Sequence, residues 1–439
     1  MHLAPEEVLP TLRKHLLVDG YEDIVVDLRK SQGSYIHDSL EDRRFLDLFS
    51  YFASAPIGHN HPGMLDDKVK AELLEAAIGK PSNSDFYTTQ MAKFVRIFSE
   101  QAAPPQLPNM FFVSGGSLAV ENALKAAFDW KVRKNLTRNI APEKGTKVLH
   151  FREAFHGRSG YTLSLTNTDE VKIKYFPKFD WPRIINPKIV FPITAPSHER
   201  TVAAERQAIA EIKSAIRDNP DDIAALIIEP IQGEGGDNHF RKEFLVELRT
   251  LADENDFMLI FDEVQTGIGL TGRMWCFQAF DVVPDMLVFG KKMQVCGFLC
   301  SDRINEVEDN VFSESSRLNS TWGGNLVDMV RAKHYLRIIA EEGLVAQVKE
   351  RGEYFLGRLL ELEYEFSTTM RGSRGRGFML AFDLPDREAR TKLLQVLYEN
   401  NVIALGCGPR SVRFRPALTF SMEDIDQALS MLRTSLEQI

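Results

Sequence analysis

The chain has 439 residues, of which 44% are hydrophobic and 26% charged, close to the averages of globular proteins, so disordered and fibrous classes are excluded. This length favours a large domain with a smaller one over a single compact core. The formal net charge of −9 leaves no overall excess of Lys and Arg to neutralise phosphates, which argues against a nucleic-acid partner.

The N-terminal residues 1–62 are predicted to contribute to a small domain. A helix is expected around residues 8–17, and a hairpin follows in which residues 34–37 and 44–48 flank a polar turn.

The middle of the chain, residues 63–325, alternates between strand-like and helical stretches. Apolar runs predict strands at 110–113, 147–151, 189–191, 224–230, 257–263 and 285–291, and helices are expected at 121–134, 202–216 and 241–254. Such alternation predicts βαβ units, and therefore an α/β fold with a large domain around a mainly parallel sheet.

The C-terminal residues 326–439 are predicted to mix helices and strands. They are a helical span at 326–360 that is interrupted near Gly343, strands at 377–382 and 412–415, and a helix at 387–400. Ser421 and Asp424 are spaced like a capping box and open the last helix. We expect this part and the N-terminal segment to form one small α/β domain.

Three strands of the middle part end in or beside a charged residue, namely Glu229, Asp262 and Lys291. Ligands of parallel sheets bind outside the carboxyl ends of the strands, so these residues are predicted to meet at one rim. A lysine that holds an aldehyde as a Schiff base and a carboxylate that keeps a pyridine nitrogen protonated are what a pyridoxal phosphate (PLP) site requires.

Each of the two catalytic candidates has an adjacent competitor. A rim lysine can simply reach water, and sequence geometry barely separates Lys291 from Lys292; we choose the residue directly after Gly290. Asp262 and Glu263 can both be solvated loop carboxylates, and only one is needed in the site. Asp262 is the candidate partner of the ring nitrogen.

Cofactor ligands are also predicted at neighbouring strand ends. Gly116 and Ser117 lie between a strand and a helix, where bare N–H groups and the helix dipole suit a phosphate, although any left-handed turn also uses glycine. Phe155 and His156 follow another strand. An aromatic ring there either stacks on a flat cofactor or belongs to the core.

Polar substrate ligands are predicted as well. Gln265 could reach the phenolic oxygen of the ring, and Arg158 could receive a carboxylate, with a surface arginine as the default. Arg413 and Arg415 share one face of a strand, which is either solvated or functional. Glu234 lies in a glycine-flanked loop, where a mobile surface carboxylate is the default.

Six motifs in combination resemble the class III (ω-amino acid) aminotransferases, from about residue 40 to the end. They are GGS at 115–117, EPIQGEG at 229–235, DEVQTG at 262–267, GK at 290–291, STWGGN at 320–325 and RFRP at 413–416. Three further stretches are similar to the L-lysine 6-aminotransferase subgroup. They are KPSNSD at 80–85, HGRSGYTLSLTN at 156–167 and FPKFDWPR at 176–183.

The resemblance implies fold type I of the PLP-dependent transferases, with a mainly parallel seven-stranded sheet and a small α/β domain from both termini. It implies that Lys291 forms the Schiff base, that Asp262 pairs with the ring nitrogen and that Gln265 neighbours the ring oxygen. Phe155 would stack on the ring, where most of the class has tyrosine.

The phosphate ligands implied by the resemblance come from two subunits. Gly116 and Ser117 would bind the phosphate of their own cofactor. Thr321 would bind the phosphate of the other subunit's cofactor, which implies a homodimer.

The reaction implied by the resemblance transfers the ε-amino group of L-lysine through PLP to 2-oxoglutarate. The products are L-glutamate and 2-aminoadipate 6-semialdehyde, which cyclises to piperideine-6-carboxylate. Lysine reacts far from its carboxylate, whereas 2-oxoglutarate reacts beside one. The resemblance therefore suggests that Glu234 covers Arg413 for lysine and swings away for 2-oxoglutarate, while Arg158 holds the distal carboxylate.

Other functions stay open at this point. Ornithine or 4-aminobutyrate could be the donor, because one methylene is worth only roughly 1–3 kcal/mol in a pocket. An aminomutase would need no acceptor. A cofactor-sensing regulator would normally carry a DNA-binding module, which neither length nor charge suggests.

The four cysteines, Cys276, Cys296, Cys300 and Cys407, have neither Cys-x-x-Cys nor paired histidine spacing, so no metal site and no disulfide framework is predicted. Reduced thiols indicate the cytoplasm. The first residues lack the pattern of a signal peptide, and no run of about 18 apolar residues occurs, so we expect no membrane partner.

Overall fold

The computed structural model describes residues 3–20 and 22–439. Within these residues the strands β1 to β16, in chain order, are Tyr35–Asp38, Arg43–Asp47, Asn109–Val113, Lys147–Phe151, Arg183–Ile184, Ile223–Ile228, Ile231–Gln232, Asn238–His239, Met258–Asp262, Met286–Phe289, Cys296–Cys300, Arg371–Arg376, Met379–Asp383, Val402–Ile403, Leu405–Cys407 and Ser411–Phe414. The helices α1 to α13 are Pro5–Arg13, Ser50–Ala53, Pro62–Leu65, Asp67–Ile78, Thr89–Gln101, Gly116–Thr137, Gly160–Leu165, Ala195–Asp218, Lys242–Glu254, Leu326–Glu341, Leu344–Glu365, Arg387–Glu399 and Met422–Leu436. Short 3₁₀-helices cover Glu170–Lys172, Cys276–Ala279, Lys291–Met293 and Asp302–Glu306.

The largest sheet has seven strands in the order β3-β11-β10-β9-β6-β4-β5. β10, β9, β6, β4 and β5 pair in parallel, and β11 runs antiparallel between β10 and β3. Every residue of β6, β9 and β10 is buried, as expected for strands that are covered on both faces. The prediction of a mainly parallel seven-stranded sheet is therefore confirmed.

The register of this sheet brings three strand ends together. Ile228 pairs with Phe261 across β6 and β9, and Val288 pairs with Asp262 across β10 and β9. The residues that follow each strand, including Glu229 and Lys291, therefore lie at the same edge, as parallel strands require.

Helix α6 packs on one face of the sheet and begins at the functional edge. Its apolar face is built largely from alanines, which let the helix approach the sheet closely. These buried residues are Ala119, Val120, Ala123, Ala126, Ala127 and Trp130. The small side chains thus fix the start of α6 directly beside the strand ends.

Residues from both ends of the chain share a sheet. β2 pairs in parallel with β14, with Leu46 opposite Val402, in a three-stranded sheet that also contains β1. Oγ of Ser34 also donates a hydrogen bond to Oδ2 of Asp424, 2.8 Å away in the last helix. The domain bounds at residues 62 and 325 stay predictions.

Two predicted elements differ from the structure. The strand expected at 189–191 is wrong. The edge strand is Arg183–Ile184, and the N–H of Ile189 instead donates to the backbone oxygen of His239 at 2.8 Å. Prolines at 187 and 192 bracket the apolar run and remove donors that a strand would need. The first helix, expected at 8–17, spans Pro5–Arg13, because Pro5 suits the first helical position.

Across the described ranges, none of the helices combines the length and apolarity that a membrane crossing would need.

Candidate active site

A cavity of about 310 Å³ lies at the carboxyl edge of the central sheet. Its walls contain every predicted cofactor and substrate residue except Thr321. These residues are Gly116, Ser117, Phe155, His156, Arg158, Glu234, Asp262, Gln265, Lys291 and Arg413. The structure therefore assembles residues that are up to about 300 positions apart in the chain.

Lys291 and Lys292 point in different directions. Lys291 lines the cavity, whereas Nζ of Lys292 is buried and donates to the backbone oxygens of Gln265, at 2.7 Å, and Ala53, at 3.3 Å. Burial, assisted by the charge of Arg413, lowers the pKa of Lys291 to about 8. Of the two lysines, only Lys291 offers a reactive amine to a ligand in this cavity.

Asp262 and Glu263 are separated in the same way. Asp262 lines the cavity at the end of β9, whereas the carboxylate of Glu263 faces the core. Oε2 of Glu263 accepts the N–H of Cys276 at 2.6 Å, and Oε1 accepts that of Phe277 at 2.8 Å. Glu263 therefore holds a neighbouring segment, and Asp262 is the acid available to a ligand.

The carboxylate of Asp262 is fixed at both oxygens. Oδ2 lies 2.8 Å from Nδ1 of His156, and Oδ1 accepts the N–H of Val264 at 3.1 Å. His156 has a fully buried side chain, and its Nε2 atom has no hydrogen-bond partner in the described part of the chain. The pair fixes the direction of Asp262 within the cavity wall.

A second buried acid, Glu229, belongs to the same cavity wall. Glu229 is 6% exposed and accepts the N–H groups of Phe155, at 3.0 Å, and Gly233, at 3.1 Å. Burial, with a contribution from the negative charge of Asp262, raises the pKa of Glu229 to about 7. The acid predicted at this strand end therefore positions two backbone segments of the site.

The start of α6 forms an anion-binding corner. The helix begins at Gly116, and the preceding Gly115 has φ +114°, a conformation that favours glycine. The first N–H groups of a long helix have no partner within it and attract an anion. Oγ of Ser117 shares hydrogen bonds with Oγ1 of Thr162, 2.7 Å away, and with the hydroxyl of Ser159.

Two apolar side chains that the sequence analysis did not assign complete the cavity. Val264 lines it together with Phe155, and the pair offers apolar surfaces for a flat ring. Phe52 also lines it, from α2, where residues 50–53 all have positive φ. A left-handed turn of this kind costs roughly 1–2 kcal/mol of conformational free energy per residue. Asp47 holds it by accepting the N–H of Ser50 at 2.7 Å.

Arg413, in β16, and Arg415, just after that strand, are buried rather than solvated, being 3% and 0% exposed. Nη2 of Arg415 donates to Oδ1 of Asp237 at 2.5 Å, so the carboxylate of Asp237 neutralises the charge of Arg415. Nη1 of Arg413 reaches Oε1 of Gln265 at 3.4 Å, and Nε of Arg415 reaches the same oxygen at 3.0 Å. Arg413 therefore remains the cation available to a ligand.

The loop around Glu234 is not the mobile surface loop that its glycines suggested. All its residues from 229 to 240 are buried except Glu234, which is partly buried. A Cβ on Gly233 would lie 2.3 Å from Oε1 of Gln265, and one on Gly235 would lie 2.1 Å from the backbone oxygen of Glu153. The glycines are needed for close packing.

Glu234 does not contact Arg413, the arginine that it was expected to cover. Its carboxylate pairs with Lys172 and accepts the hydroxyl of Thr168 at 3.1 Å. In the described residues Glu234 and Arg413 do not form an ion pair. In this structure the carboxylate of Glu234 is therefore bound by Lys172 and leaves Arg413 uncovered.

Arg158 and Thr321 lie towards the solvent. Arg158 is exposed and lines the cavity mouth. Thr321 is exposed and lies outside the cavity, where its backbone oxygen accepts the hydroxyl of Ser82 at 2.6 Å. Within one subunit, Thr321 therefore has no access to the cavity it was predicted to serve.

The chemistry of this cavity fits PLP. The helix start at Gly116 suits a phosphate, Asp262 suits a protonated ring nitrogen, and the neutral amine of Lys291 suits an aldehyde. Phe155 and Val264 supply the apolar walls that a planar ring needs. The arrangement can therefore hold the cofactor and bring amino and keto substrates to it.

Comparison with known proteins agrees with this chemistry. Residues 17–436 match the family model described as "Aminotransferase class-III". The chain is 51% identical to the L-lysine-epsilon aminotransferase of Mycobacterium tuberculosis, covering 99% of this chain and 96% of the relative. It is 47% identical to the L-lysine-epsilon aminotransferase of Streptomyces clavuligerus, covering 100% and 96%.

A solved structure of the lysine aminotransferase from M. tuberculosis in the internal aldimine form superposes with a TM-score of 0.97. It is 51% identical in sequence, and the match covers 99% of this chain and 100% of that chain. The predicted fold type I architecture is therefore confirmed. The chain belongs to the class III aminotransferases and is a PLP-dependent transaminase.

Proposed function

We propose that the protein is an L-lysine 6-aminotransferase, which transfers the ε-amino group of L-lysine to 2-oxoglutarate. The products are L-glutamate and 2-aminoadipate 6-semialdehyde, whose aldehyde condenses with its own α-amine, with loss of water, to give piperideine-6-carboxylate. The observation that carries the proposal is the joint presence of Arg413, Glu234 and Arg158 around the amine of Lys291. The names of the relatives support lysine as the donor.

PLP, when bound, supplies an electron sink and carries the amino group between the two substrates. Lys291 would hold the aldehyde of the cofactor, and its amine, with a pKa of about 8, suits the transfer of a proton at the reacting carbon of the substrate. Asp262, oriented by His156, would keep the ring nitrogen protonated. The N–H groups at Gly116 would hold the phosphate.

Phe155 would stack on one face of the ring, and Gln265 would neighbour the ring oxygen. Ser117 adds its hydroxyl to the phosphate site, where it lies among other hydroxyl groups of the same corner. Phe155, Gln265 and Ser117 all line the cavity and so lie within reach of a bound cofactor.

The two substrates differ in whether they need Arg413. 2-Oxoglutarate places a carboxylate beside the reacting carbon, which needs Arg413 to be free. Lysine has no charge there, so Arg413 is best covered by Glu234 during that half-reaction. Arg158, at the cavity mouth, takes the distal carboxylate of both substrates in a bidentate pair.

The complete site is proposed to need two subunits, with Thr321 reaching the phosphate of the other subunit's cofactor. The loop of Thr321 is anchored on its own chain, because Oγ of Ser84 donates to the backbone oxygen of Ser320 at 2.7 Å. Large apolar side chains beside it are exposed, including Phe86 at 76% and Tyr87 at 81%. A second copy would cover these side chains.

We place the enzyme in the cytoplasm. All four cysteines are buried and free. Buried free thiols are typical of a reducing compartment.

The deciding experiment follows the nitrogen. Purified holoenzyme is incubated with 2-oxoglutarate and lysine that carries ¹⁵N at either the ε or the α position. Glutamate labelled from the ε position is expected, and glutamate labelled from the α position would refute the proposal. Ornithine and 4-aminobutyrate are tested in parallel, and faster transfer from either would make that compound the donor. Rearranged lysine formed without 2-oxoglutarate would instead identify an aminomutase.

A further inference from the structure

The carboxylate of Glu234 is bound by a lysine that has no assigned role. Its Oε1 atom accepts hydrogen bonds from Nζ of Lys172 and, at 3.1 Å, from Oγ1 of Thr168. Lys172 ends the 3₁₀-helix Glu170–Lys172, between the sequence stretches 156–167 and 176–183. The partner of Glu234 in this structure is thus a cation other than Arg413.

Lys172 lies next to Phe155, which lines the cavity. Its Nζ atom lies 5.8 Å from the centroid of the Phe155 ring. Burial lowers the pKa of Lys172, Asp169 opposes this shift, and the positive charges of Arg158 and Arg413 lower the pKa further. Glu234, which Lys172 binds, lines the same cavity as Arg413, so the two cations can compete for one carboxylate.

Arg413 has hydrogen-bonding capacity to spare. It is 3% exposed, and its Nη1 atom makes a long bond of 3.4 Å to Oε1 of Gln265. Its Nε atom has no partner among the residues that the structure describes. A buried donor without an acceptor costs free energy, which a carboxylate from Glu234 or from a substrate would recover.

Only the side chain of Glu234 needs to move between the two cations. Its backbone oxygen accepts the N–H of Gly408 at 2.8 Å. The next residue, Gly235, packs so closely on the backbone of Glu153 that an added Cβ would overlap it. Rotation about the side-chain bonds of Glu234 can therefore exchange Lys172 for Arg413 while the loop stays in place.

We propose that Lys172 is a positioning residue that selects between the two half-reactions by holding Glu234 away from Arg413. Arg413 is then open to the carboxylate beside the keto group of 2-oxoglutarate. This inference rests on the proposed function, because it assumes one substrate that needs Arg413 and one that does not. Without the ammonium of Lys172, Glu234 pairs with Arg413 and the site favours the lysine half-reaction.

The test compares Lys172→Met with Lys174→Met in single-turnover assays. Lys174 is the matched control, because it is exposed two residues away and its Nζ lies over the ring of Tyr175 at 5.0 Å. The aminated enzyme is prepared by adding pyridoxamine phosphate to apoenzyme, so the 2-oxoglutarate step is measured even if lysine is not the donor. The lysine step is measured separately on the PLP-loaded enzyme.

Lys172→Met is expected to weaken apparent 2-oxoglutarate binding by about tenfold or more, the scale of one charged hydrogen bond, and to change the lysine step much less. Lys172→Arg should restore 2-oxoglutarate binding, because it keeps the cation. In a Glu234→Ala background, Lys172→Met should have no further effect on that binding.

Two results would overturn the proposal. One is unchanged 2-oxoglutarate binding in Lys172→Met. The other is an equal loss in both half-reactions that persists in the Glu234→Ala background, which would mean that Lys172 only supports the local fold. Failure of the proposed function itself is recognised separately, as a wild-type enzyme that lysine does not aminate while 2-oxoglutarate still reacts with the aminated form.

Discussion

Nδ1 of His156 lies 2.8 Å from Oδ2 of Asp262, and both side chains are buried. This contact joins a residue after β4 to the end of β9, so the direction of the catalytic carboxylate is set by two different strands of the sheet. A carboxylate held in this way keeps its position when a ligand enters, which is the preorganisation that electrostatic catalysis requires.

Asp262→Asn should lower kcat by about a hundredfold or more, because the amide has nearly the same shape but cannot stabilise a protonated ring nitrogen. The variant should still fold and bind PLP. Steady-state kinetics and the absorbance of the bound cofactor measure the two properties separately.

The matched control for this substitution is Glu263→Gln. The amide of the variant cannot accept the N–H groups of both Cys276 and Phe277, so an unfolding penalty of about 1–3 kcal/mol is expected, with much smaller effects on the chemical step. If Glu263→Gln lost as much kcat as Asp262→Asn while keeping its Tm, the separation of the two carboxylates would be wrong.

The regular parts of the fold were predictable because their patterns are local. β4, predicted at 147–151, is Lys147–Phe151, and the helix after Gly343 begins at Leu344. By contrast, Lys291 and Lys292 are neighbours with similar sequence surroundings. Their roles separate through long-range contacts, because Lys292 binds the backbone oxygens of Gln265 and of Ala53, which is nearly 240 positions away.

Two site residues were beyond the reach of sequence patterns. Phe52 enters the cavity from a left-handed turn, and no periodicity indicates four successive positive φ values. Lys172 lies in a charged stretch that resembles a protein surface. Its role follows from a contact with Glu234, which is 62 positions away in the chain. Both depend on long-range packing, whereas the strand-end acids and the glycine turn follow from the topology of a parallel sheet.

The uptake of PLP by the apoenzyme should accelerate as the pH rises through about 8. The neutral amine of Lys291 is the nucleophile, and its pKa is lowered from 10.5 to about 8, so the reactive fraction grows in this range instead of above pH 10. Stopped-flow measurement of the absorbance of the cofactor bound to Lys291 gives the pH midpoint of the uptake rate.

Arg413→Gln provides the control for this pH dependence. Among the charged neighbours, Arg413 makes the largest contribution to the lowered pKa of Lys291, so its removal should move the midpoint upward. A midpoint that stayed in place or moved down would contradict the assigned electrostatics.

Glu234→Ala should shift the preference of the enzyme from lysine towards glutamate in single-turnover amination. Without the carboxylate, Arg413 stays uncovered in both half-reactions, which disfavours a substrate that has no charge there. Equal relative rates for the two donors in variant and wild type would discard the switch. This shift in substrate preference is opposite to the one expected for Lys172→Met, which frees Glu234 to pair with Arg413. The two variants together therefore distinguish the release of Glu234 from its removal.

Gly157→Ala should weaken PLP binding by about tenfold or more, because it disturbs the phosphate corner. Gly157 has φ +125°, and a Cβ there would lie 2.3 Å from Oγ of Ser117 and 2.8 Å from Oγ1 of Thr162. Either Ser117 is displaced from the start of α6 or the backbone is strained, and both outcomes move hydrogen-bond donors away from the phosphate. The dissociation constant is measured by titrating apoenzyme with PLP.

Gly357→Ala is the matched control for Gly157→Ala. Gly357 lies in α11, and no atom lies within 4 Å of an added Cβ, so the variant should bind PLP like the wild type. It should also gain about 0.5–1 kcal/mol of stability, because alanine is the better helix former. Wild-type affinity in both variants would mean that neither the close approach of Gly157 to Ser117 nor its positive φ is needed to hold the phosphate corner in place.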